Sequence, residues 1–342
     1  MTKIDEFLKN FSPSTQGTYK SVLKKYFATI KKDPDSYIRN GKRRYTIKEL
    51  DSFENDVTKF WLTLKELPPN TIYSYLACIR VFLSDNYIDL PNKFWKKFKT
   101  RTKGSRAVVE DIVPTRKQFK KMLSHGNALE RAMVLTLISS GIRIGELCQI
   151  KEEDIDFSYK PTKIEIKREY TKTGNRRTVF VSDECSDAIK EWLKEKPAYL
   201  KYAVKKCNFP QYTKSVNDDR IFPMRPNVAR KKWNRLLERT GLTQKDRSTT
   251  QVRYKIHPHV TRKFFRTVMP EKISVDVTEY LLGHEEGLTA VYRRYGDDKR
   301  KLAELYKEGM GKVTIFETDP EDIQEFKEEM SKEMDEKDKQ IQ

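Results

Sequence analysis

Apolar and aromatic residues recur every three or four positions through most of the first hundred residues of this 342-residue chain. This spacing places them on one side of a helix, and such stripes are typical of helices that share a buried core. Ser14 is a candidate N-cap for the first long helix, and Pro68-Pro69 precedes another. The sequence therefore predicts a helical bundle. The apolar positions of its helices are Tyr19, Val22, Leu23, Tyr26, Phe27 and Ile30, then Phe53, Val57, Phe60, Trp61 and Leu64, then Ile72, Tyr75, Leu76, Ile79, Phe82 and Leu83, and finally Phe94, Trp95 and Phe98.

The pattern changes near residue 100. Residues 100–107 (TRTKGSRA) are polar and basic and have no apolar period, which predicts a linker. Helical periodicity resumes beyond it, and Ser139-Ser140-Gly141 interrupts the pattern as a helix break. The helices predicted in this part of the chain are Thr115–Leu123, Glu130–Ser139, Ile142–Ile150, Val277–Leu282 and Leu302–Tyr306.

One region alternates apolar and polar residues, as strands with one buried face do. Its strands are predicted at Lys163–Arg168 and Thr178–Val181. The segment from Lys172 to Arg177 has turn character and is strongly basic, so we expect a β-hairpin with a cationic tip. The acidic run Glu152–Asp156 is typical of a turn that leads into a strand.

The predicted fold is mostly α, with a small β-hairpin or sheet in its second domain. We expect a helical domain at residues 1–107 that ends in a linker at about 100–107, and a second domain at residues 108–316. An acidic helical tail is predicted at residues 317–342, either solvated or docked on a partner. Its apolar residues at helical spacing are Ile323, Phe326, Met330 and Met334.

The charge of the chain indicates a binding partner. The chain carries a net charge of +19, while the tail from Glu317 onward has 11 acidic and 4 basic residues, so the rest of the chain carries +26. The first 107 residues alone hold 22 basic and 11 acidic residues. A body this basic indicates a polyanion such as nucleic acid, because lysine and arginine that neutralise phosphates release condensed counterions. The alternative is a protein with many solvated lysines.

The remaining composition bears on the cellular setting. The four cysteines are far apart and form no C-x-x-C pair, which predicts neither a zinc site nor a disulfide framework and favours a reducing compartment. No apolar run reaches transmembrane length, and no signal-peptide apolar region begins the chain. We therefore expect a soluble cytoplasmic protein.

Residue types suited to phosphate chemistry stand close together near the end of the second domain. His259 and Arg262 are three positions apart, so a helix start would place both on one face. His284 follows Gly283, and Tyr292 comes eight residues later. Transfer of a phosphodiester without a metal needs an in-line nucleophile, cations on the non-bridging oxygens and an acid for the leaving oxygen. The grouping therefore predicts chemistry on a phosphate.

Two more cations extend this set. Arg143 follows the predicted helix break, and Lys172 lies on the predicted hairpin tip. The planar fork of arginine holds two phosphate oxygens, and lysine gives up a proton when its surroundings shift its pKa. Each residue alone has a structural alternative: Arg143 can pair with Glu146, Lys172 is one of many surface lysines, and a single histidine or tyrosine is more often structural.

The order of these motifs identifies a family resemblance. They are GIRIGEL around Arg143, TKTGNRR around Lys172, HPHVTRKFFRT with His259 and Arg262, and LLGH followed by a tyrosine. This set resembles the tyrosine recombinase (phage integrase) family, in particular archaeal-type site-specific integrases, over roughly residues 111–316. The N-terminal helices resemble the core-binding domain of that family more loosely. The resemblance implies a two-domain clamp on DNA.

The resemblance also implies an activity and a set of roles. A site-specific recombinase or integrase of this kind cleaves and rejoins DNA through a 3′-phosphotyrosyl intermediate. Tyr292 would attack the scissile phosphate, while Arg143 and Arg262 would hold its non-bridging oxygens. His259 would assist transfer of the tyrosine proton, and Lys172 would protonate the leaving 5′ oxygen.

The remaining implications concern His284 and the partners. His284 would donate a hydrogen bond to the phosphate. The covalent link conserves the energy of the phosphodiester, so no ATP, other cofactor or metal is expected. The implied partner is double-stranded DNA with a specific recombination site, bound by a homotetramer on paired sites.

The position of the nucleophile departs from the family pattern. Many members place the tyrosine nine residues after the second histidine, where this chain has Arg293. Tyr292 at eight residues and Tyr295 at eleven are the candidates, and the Gly-Leu-Thr motif before Tyr292 favours Tyr292. Tyr306 is too far into the next predicted helix.

Three other functions fit parts of the sequence. A type IB topoisomerase uses similar chemistry and relaxes DNA without a partner site. A DNA-binding regulator that has lost catalysis would lack a member of the set, and none is missing. A metal-dependent nuclease would need a ligand cluster to match the acidic run at 152–156, and the sequence offers none.

Overall fold

The computed structural model divides the chain into two compact units. The first takes residues Met1–Glu110 and the short stretch Asp246–Val252, and the second takes Asp111–Lys245 and Arg253–Gln342. Most of the predicted linker and the whole predicted tail lie outside the described residues. The residues that the structure describes are 2–38, 45–102, 110–172, 174–206, 215–246, 253–284 and 298–316. No helix within these ranges is both long and apolar enough to cross a membrane.

The described part of the first unit is a helical bundle, as predicted. Its core is aromatic, and the rings of Tyr26, Phe60 and Phe82 are fully buried. Polar groups inside the bundle are paired: Asp56 accepts hydrogen bonds from Lys32 Nζ at 2.6 Å and from the Tyr37 hydroxyl at 2.9 Å. The helices are α1 (Lys3–Leu8), α2 (Pro13–Ile30), α3 (Pro34–Tyr37), α4 (Ile47–Leu62), α5 (Pro69–Asp85) and α6 (Asn92–Arg101).

The start of α2 differs from the prediction. Its N-cap is Ser12, whose Oγ accepts the N–H of Thr15 at 3.5 Å, and not Ser14. Pro13 explains the difference, because its fixed φ suits the first helical position and its missing N–H costs nothing there.

The described part of the second unit combines helices with two small antiparallel sheets. Helix α8 is its central element and is buried along almost its whole length. The elements are α7 (Arg116–Ser124), α8 (Ala128–Ser140), α9 (Ile144–Leu147), β1 (Ile155–Asp156), β2 (Thr162–Ile166), β3 (Arg177–Val181), α10 (Asp183–Lys205), α11 (Pro226–Thr240), β4 (Lys245–Asp246), β5 (Arg253–Tyr254), α12 (Val260–Val268), α13 (Val275–Leu282) and α14 (Lys299–Val313), with short 3-10 turns at Glu152–Asp154, Arg168–Tyr170 and Met269–Glu271.

The predicted hairpin is confirmed. Strands β2 and β3 pair antiparallel with Ile164 opposite Val179 and Ile166 opposite Arg177. The short strand β1 adds a third member on the other side of β2, with Ile155 opposite Ile164. This register fixes where the basic segment between β2 and β3 begins and ends.

The predicted helix Ile142–Ile150 is wrong in length, since only Ile144–Leu147 is helical. Arg143 has an extended backbone and forms the N-cap. At the other end, the carbonyl of Ile150 accepts the N–H of Ile221 at 2.8 Å, and Lys151 bridges Arg220. Pairing with a distant segment therefore outweighs the local helical pattern.

Helix α14 is held against α8 by a buried polar contact. The Tyr306 hydroxyl donates to the Ser139 carbonyl at 2.8 Å, and its oxygen lies 2.9 Å from Ser139 Oγ. Ser139 Oγ also accepts the N–H of Ser182 at 2.7 Å, just before α10. Three elements thus meet at the last turn of α8.

We expect Tyr306→Phe to lower the free energy of unfolding by about 1–3 kcal/mol, because it removes the buried hydrogen bonds that the Tyr306 hydroxyl makes with the Ser139 carbonyl and with Ser139 Oγ. Urea unfolding followed by circular dichroism measures this change. Tyr202→Phe is the matched control, since Tyr202 is 62% exposed and its loss should matter little. An equal effect of the two changes would contradict the contact's importance.

Candidate active site

Two helix ends meet at one buried arginine. Helices α8 and α13 both stop at glycines with left-handed backbones, Gly141 (φ 62°) and Gly283 (φ 72°). Arg262, from α12, donates through Nη1 to the carbonyl of Gly141 at 2.6 Å and through Nη2 to the carbonyl of Leu282 at 2.8 Å. Carbonyls at helix ends lack partners within the helix and carry the negative end of its dipole. A single guanidinium therefore joins the two ends.

Both glycines are required by close approach as well as by their φ angles. A Cβ on Gly141 would lie 2.8 Å from Leu282 Cδ2 and 3.0 Å from the ring of Phe265. A Cβ on Gly283 would lie 2.9 Å from the guanidinium of Arg177. Because Gly141 has no side chain, the end of α8 can pack against Leu282 and Phe265. Because Gly283 has none, the end of α13 can pack against Arg177.

His284 lies next to Arg262 with a defined tautomer. Arg262 Nη2 is 3.0 Å from His284 Nε2, and His284 Nδ1 contacts the carboxylate of Glu279. A guanidinium only donates, so Nε2 accepts and Nδ1 carries the proton toward Glu279. Burial raises the pKa of Glu279, but hydrogen bonds from His284 and Arg266 lower it further than burial raises it.

Arg143 belongs to a second buried group. It donates from its backbone N–H to Glu146 Oε2 at 2.9 Å and from Nη1 to Glu146 Oε1 at 3.0 Å. Arg177 donates to the same carboxylate at 3.2 and 2.7 Å and, through Nε, to the carbonyl of Leu281 at 3.0 Å. Arg143 does pair with Glu146, which the sequence offered as the structural alternative for this residue, yet 32% of the Arg143 side chain stays exposed. Its guanidinium is fixed and still accessible.

Positive charge exceeds negative charge in this region. Burial lowers the pKa of Arg262 to about 9, and the charges of Arg143 and Arg177 act in the same direction. Burial opposes ionisation of Glu146, but Arg177 and Arg143 hold its pKa below the ordinary value. One carboxylate contacts both Arg143 and Arg177, so an anion beside Arg143 and Arg262 would relieve the remaining repulsion.

His259 lies at the start of the helix that carries Arg262. It precedes α12 as its N-cap, and its carbonyl accepts the N–H of Arg262 at 3.2 Å. Desolvation lowers the pKa of His259, and the charge of Arg262 lowers it further. The ring is therefore neutral at pH 7 and able to accept a proton.

The other predicted site residues are not brought into this cluster by the described structure. Lys172 is exposed before β3, and the described ranges contain no hydrogen-bond or ion-pair partner for it. Tyr292 and Tyr295 lie outside the described residues. Tyr306 is fully buried, and desolvation raises the pKa of its hydroxyl, so its place is structural.

Sequence reasoning missed Arg177, Glu279 and Asp111, and it named Glu146 only as a structural partner of Arg143. Glu146 is 1% exposed and Arg177 is 5% exposed, whereas the neighbouring Arg176 is exposed. Only the strand register, which aligns Arg177 with Ile166, distinguishes the two arginines. Glu279 and Asp111 carry no motif, and each becomes recognisable through the histidine that it contacts.

Comparisons with known proteins identify relatives of this chain. Residues 108–301 match the model of the phage integrase family. Tyrosine recombinase XerA of Saccharolobus solfataricus is 23% identical over 273 residues, which cover 78% of this chain and 77% of that protein. A tyrosine recombinase of Thermosipho africanus is 22% identical over 302 residues, which cover 86% and 93%.

Solved structures share the fold. A lambda integrase (75–356) dimer bound to a COC′ core site has a TM-score of 0.52 at 15% identity, covering 85% of this chain and 97% of that one. The Tn1549 transposon integrase in complex with transposon right end DNA has a TM-score of 0.51 at 19% identity, covering 89% and 98%. Because the family model matches more than half of the chain, this protein belongs to the phage integrase family, as a tyrosine site-specific recombinase. These comparisons do not favour a topoisomerase or an inactive regulator.

We expect Glu146→Gln to destabilise the protein by about 3 kcal/mol, because it removes the only charge that the buried Arg177 pairs with in the described structure. The pKa of Glu146 is lowered by folding, so its contribution is complete above the ordinary value of 4.5. It is lost as pH falls through the lower folded-state value. The free energies of unfolding of the wild type and of Glu146→Gln should therefore become equal in acid.

Urea unfolding between pH 7 and pH 3 measures both effects. Glu191→Gln is the control, since Glu191 pairs with Arg131 at the surface with 52% of its side chain exposed. A gap between wild type and Glu146→Gln that stays constant down to pH 3 would show that the carboxylate's ionisation is not its source.

Proposed function

We propose that this recombinase cleaves and rejoins double-stranded DNA at a specific site by attack of Tyr292 on the scissile phosphate. The observation that supports this most is the convergence of Arg143, Arg262 and His284 on two helix ends that carry excess positive charge. Attack forms the bond from the tyrosine oxygen to phosphorus and breaks the bond to the 5′ oxygen. The products are a 3′-phosphotyrosyl link and a free 5′-hydroxyl.

Arg143 and Arg262 would hold the non-bridging oxygens. An arginine guanidinium carries several N–H donors. In Arg262, Nη1 donates to the Gly141 carbonyl, and Nη2 donates to the Leu282 carbonyl and to His284 Nε2. Within the described residues its Nε–H and a second Nη1–H have no other partner, so they could bind a phosphate oxygen. Arg143 uses Nη1 for Glu146, and 32% of its side chain is exposed. Charge-assisted bonds of this kind are strongest when the protein fixes their geometry before charge develops.

The proton transfers need one acceptor and one donor, and a further hydrogen bond is donated to the phosphate. His259, neutral because its pKa is lowered, would accept the tyrosine proton, and Lys172 would give a proton to the leaving 5′ oxygen. His284 holds its proton at Nδ1 toward Glu279. It would donate to the phosphate through Nε2 once that nitrogen also carries a proton.

The assembly follows from the number of strands. Exchange between two duplexes cuts four strands, one per nucleophile, which supports a homotetramer on paired sites. Residues 1–107 would form the core-binding domain, 108–316 the catalytic domain and 317–342 the tail. The basic composition of the first 107 residues supports contact with phosphates. We place the protein in the cytoplasm, on nucleoid DNA.

We expect the wild type to form a covalent adduct with its site that survives SDS. The site is recovered by incubating the protein with a random double-stranded DNA library, purifying adducts and sequencing them. Tyr292→Phe should abolish the adduct, because the ring stays and only the attacking oxygen is lost. Tyr295→Phe is the matched control and should react normally.

The possible outcomes distinguish a wrong choice of nucleophile from a wrong mechanism. Loss of the adduct in Tyr295→Phe but not in Tyr292→Phe would reassign the nucleophile. An adduct unaffected by either change would refute attack by a tyrosine at this position. Relaxation of any supercoiled plasmid by the monomer would favour the topoisomerase alternative.

We expect deletion of residues 319–342 to impair assembly on paired sites more than cleavage of a single site. The proposed reason is that the tail reaches a neighbouring protomer, which single-site cleavage does not need. Native gels of paired-site complexes and SDS gels of the adduct measure the two steps. Equal loss of both, or no loss of either, would contradict the tail's role.

A further inference from the structure

A second histidine and an aspartate stand beside the proposed proton acceptor. Asp111 is largely buried and accepts hydrogen bonds from His257 Nε2 at 2.9 Å, Lys263 Nζ at 2.7 Å and Arg253 Nη2 at 3.2 Å. Burial opposes ionisation, but hydrogen bonds from Lys263 and His257 lower the pKa of Asp111 to about 2. The carboxylate is therefore charged and fixed.

This carboxylate determines the tautomer of His257. An ionised carboxylate only accepts hydrogen bonds, so His257 Nε2 must carry a proton. The other ring nitrogen, Nδ1, lies 3.3 Å from the backbone N of His259 and accepts its N–H. An imidazole that donates at Nε2 and accepts at Nδ1 is neutral and has one defined orientation.

The His259 backbone depends on that acceptor. An N–H at a helix start has no acceptor inside its own helix, and no side chain caps α12 within the described structure. His257 supplies the acceptor from two positions away, and Pro258 between them restricts the backbone. The two imidazole rings are parallel within 4°, with centroids 6.3 Å apart. The orientation of one ring is thus tied to that of the other.

We propose that Asp111 and His257 are positioning residues that orient His259 for proton transfer. This inference rests on the proposed function, in which His259 accepts the tyrosine proton. Asp111 holds His257 in the Nε2–H form, and His257 holds the backbone of His259. Neither residue touches the phosphate or the nucleophile in this scheme.

Asp111 also acts on His259 through charge. Desolvation and the charges of Arg262 and Lys263 lower the pKa of His259, whereas the charge of Asp111 raises it. Removing the charge of Asp111 should therefore lower the pKa of His259 further. If His259 acts as a base, the acidic limb of the cleavage profile moves to lower pH in Asp111→Asn. If the charge of Asp111 does not act on His259, this limb stays where it is in the wild type.

The first test needs no DNA. The chain has four histidines, so a sample labelled with ¹⁵N only in histidine gives few ring signals, assigned by single substitutions. Long-range ¹H–¹⁵N spectra at pH 7.5 should show His257 neutral with its proton on Nε2. Asp111→Ala should populate the other tautomer. A His257 ring that is cationic, or protonated on Nδ1, in the wild type would overturn the proposal.

The second test compares two changes at one position. His257→Asn keeps an acceptor close to where Nδ1 lies, whereas His257→Phe keeps a ring and loses both hydrogen bonds. With the duplex recovered from the wild-type adduct, we expect His257→Phe to slow single-turnover adduct formation on the order of 10-fold to 100-fold, because small displacements of a reacting group are costly. His257→Asn should recover much of that rate. DNA affinity in gel shifts should change by less than about 2-fold.

Arg253→Gln is the matched control for the ion pairs of Asp111. It removes one partner of the carboxylate, with 51% of its side chain exposed, and does not touch His257. Its rate should stay within about 2-fold of the wild type. Equal rates in His257→Phe and wild type, or an unshifted acidic limb in Asp111→Asn, would overturn the proposal. A wild type that forms no adduct would instead refute the proposed function and leave the tautomer test to decide this inference.

Discussion

The candidate site depends on one buried cation between two helix ends. Arg262 donates hydrogen bonds to the carbonyls of Gly141 and Leu282, at the ends of α8 and α13. Carbonyls at a helix end have no partner within their own helix. The two helices begin far apart in the sequence, and the glycine at the end of each permits the approach. Burial of a charged group is costly unless it is paired. Helix dipoles compensate part of that cost, and a phosphate would compensate the rest.

A second group of buried charges holds the residues around Arg262 in place. Glu146 fixes Arg143 and Arg177, and Arg177 reaches the same helix end as Arg262 through the carbonyl of Leu281. The hairpin strand β3, the short helix α9 and the end of α13 are thereby connected. Buried ion pairs add little net stability, because desolvation offsets their attraction. Their contribution here is orientation, which electrostatic catalysis requires before the reaction begins.

Much of the fold could be predicted because it follows from local patterns. Helical periodicity located the bundle of the first unit and the central helix of the second, and alternation located β2 and β3. The helix predicted at Ile142–Ile150 was too long. Its last residue, Ile150, pairs with Ile221, and this contact between distant segments cannot be read from the local pattern. The helix start near Ser14 was wrong by two residues because Pro13 determined it. The errors thus lie where a distant partner or a single backbone constraint outweighs periodicity.

The sequence by itself determined the class of chemistry. The order of Arg143, Lys172, His259-x-x-Arg262 and His284 in a basic chain resembles that of the tyrosine recombinase family, and this resemblance implied a phosphate site. Only the tertiary structure decided which groups are buried, which are paired and which nitrogen of each histidine carries a proton. Arg176 and Arg177 are identical in type and adjacent, yet Glu146, 31 positions away, makes one of them part of the site. Burial and protonation are set by neighbours in space, and those neighbours are distant in sequence.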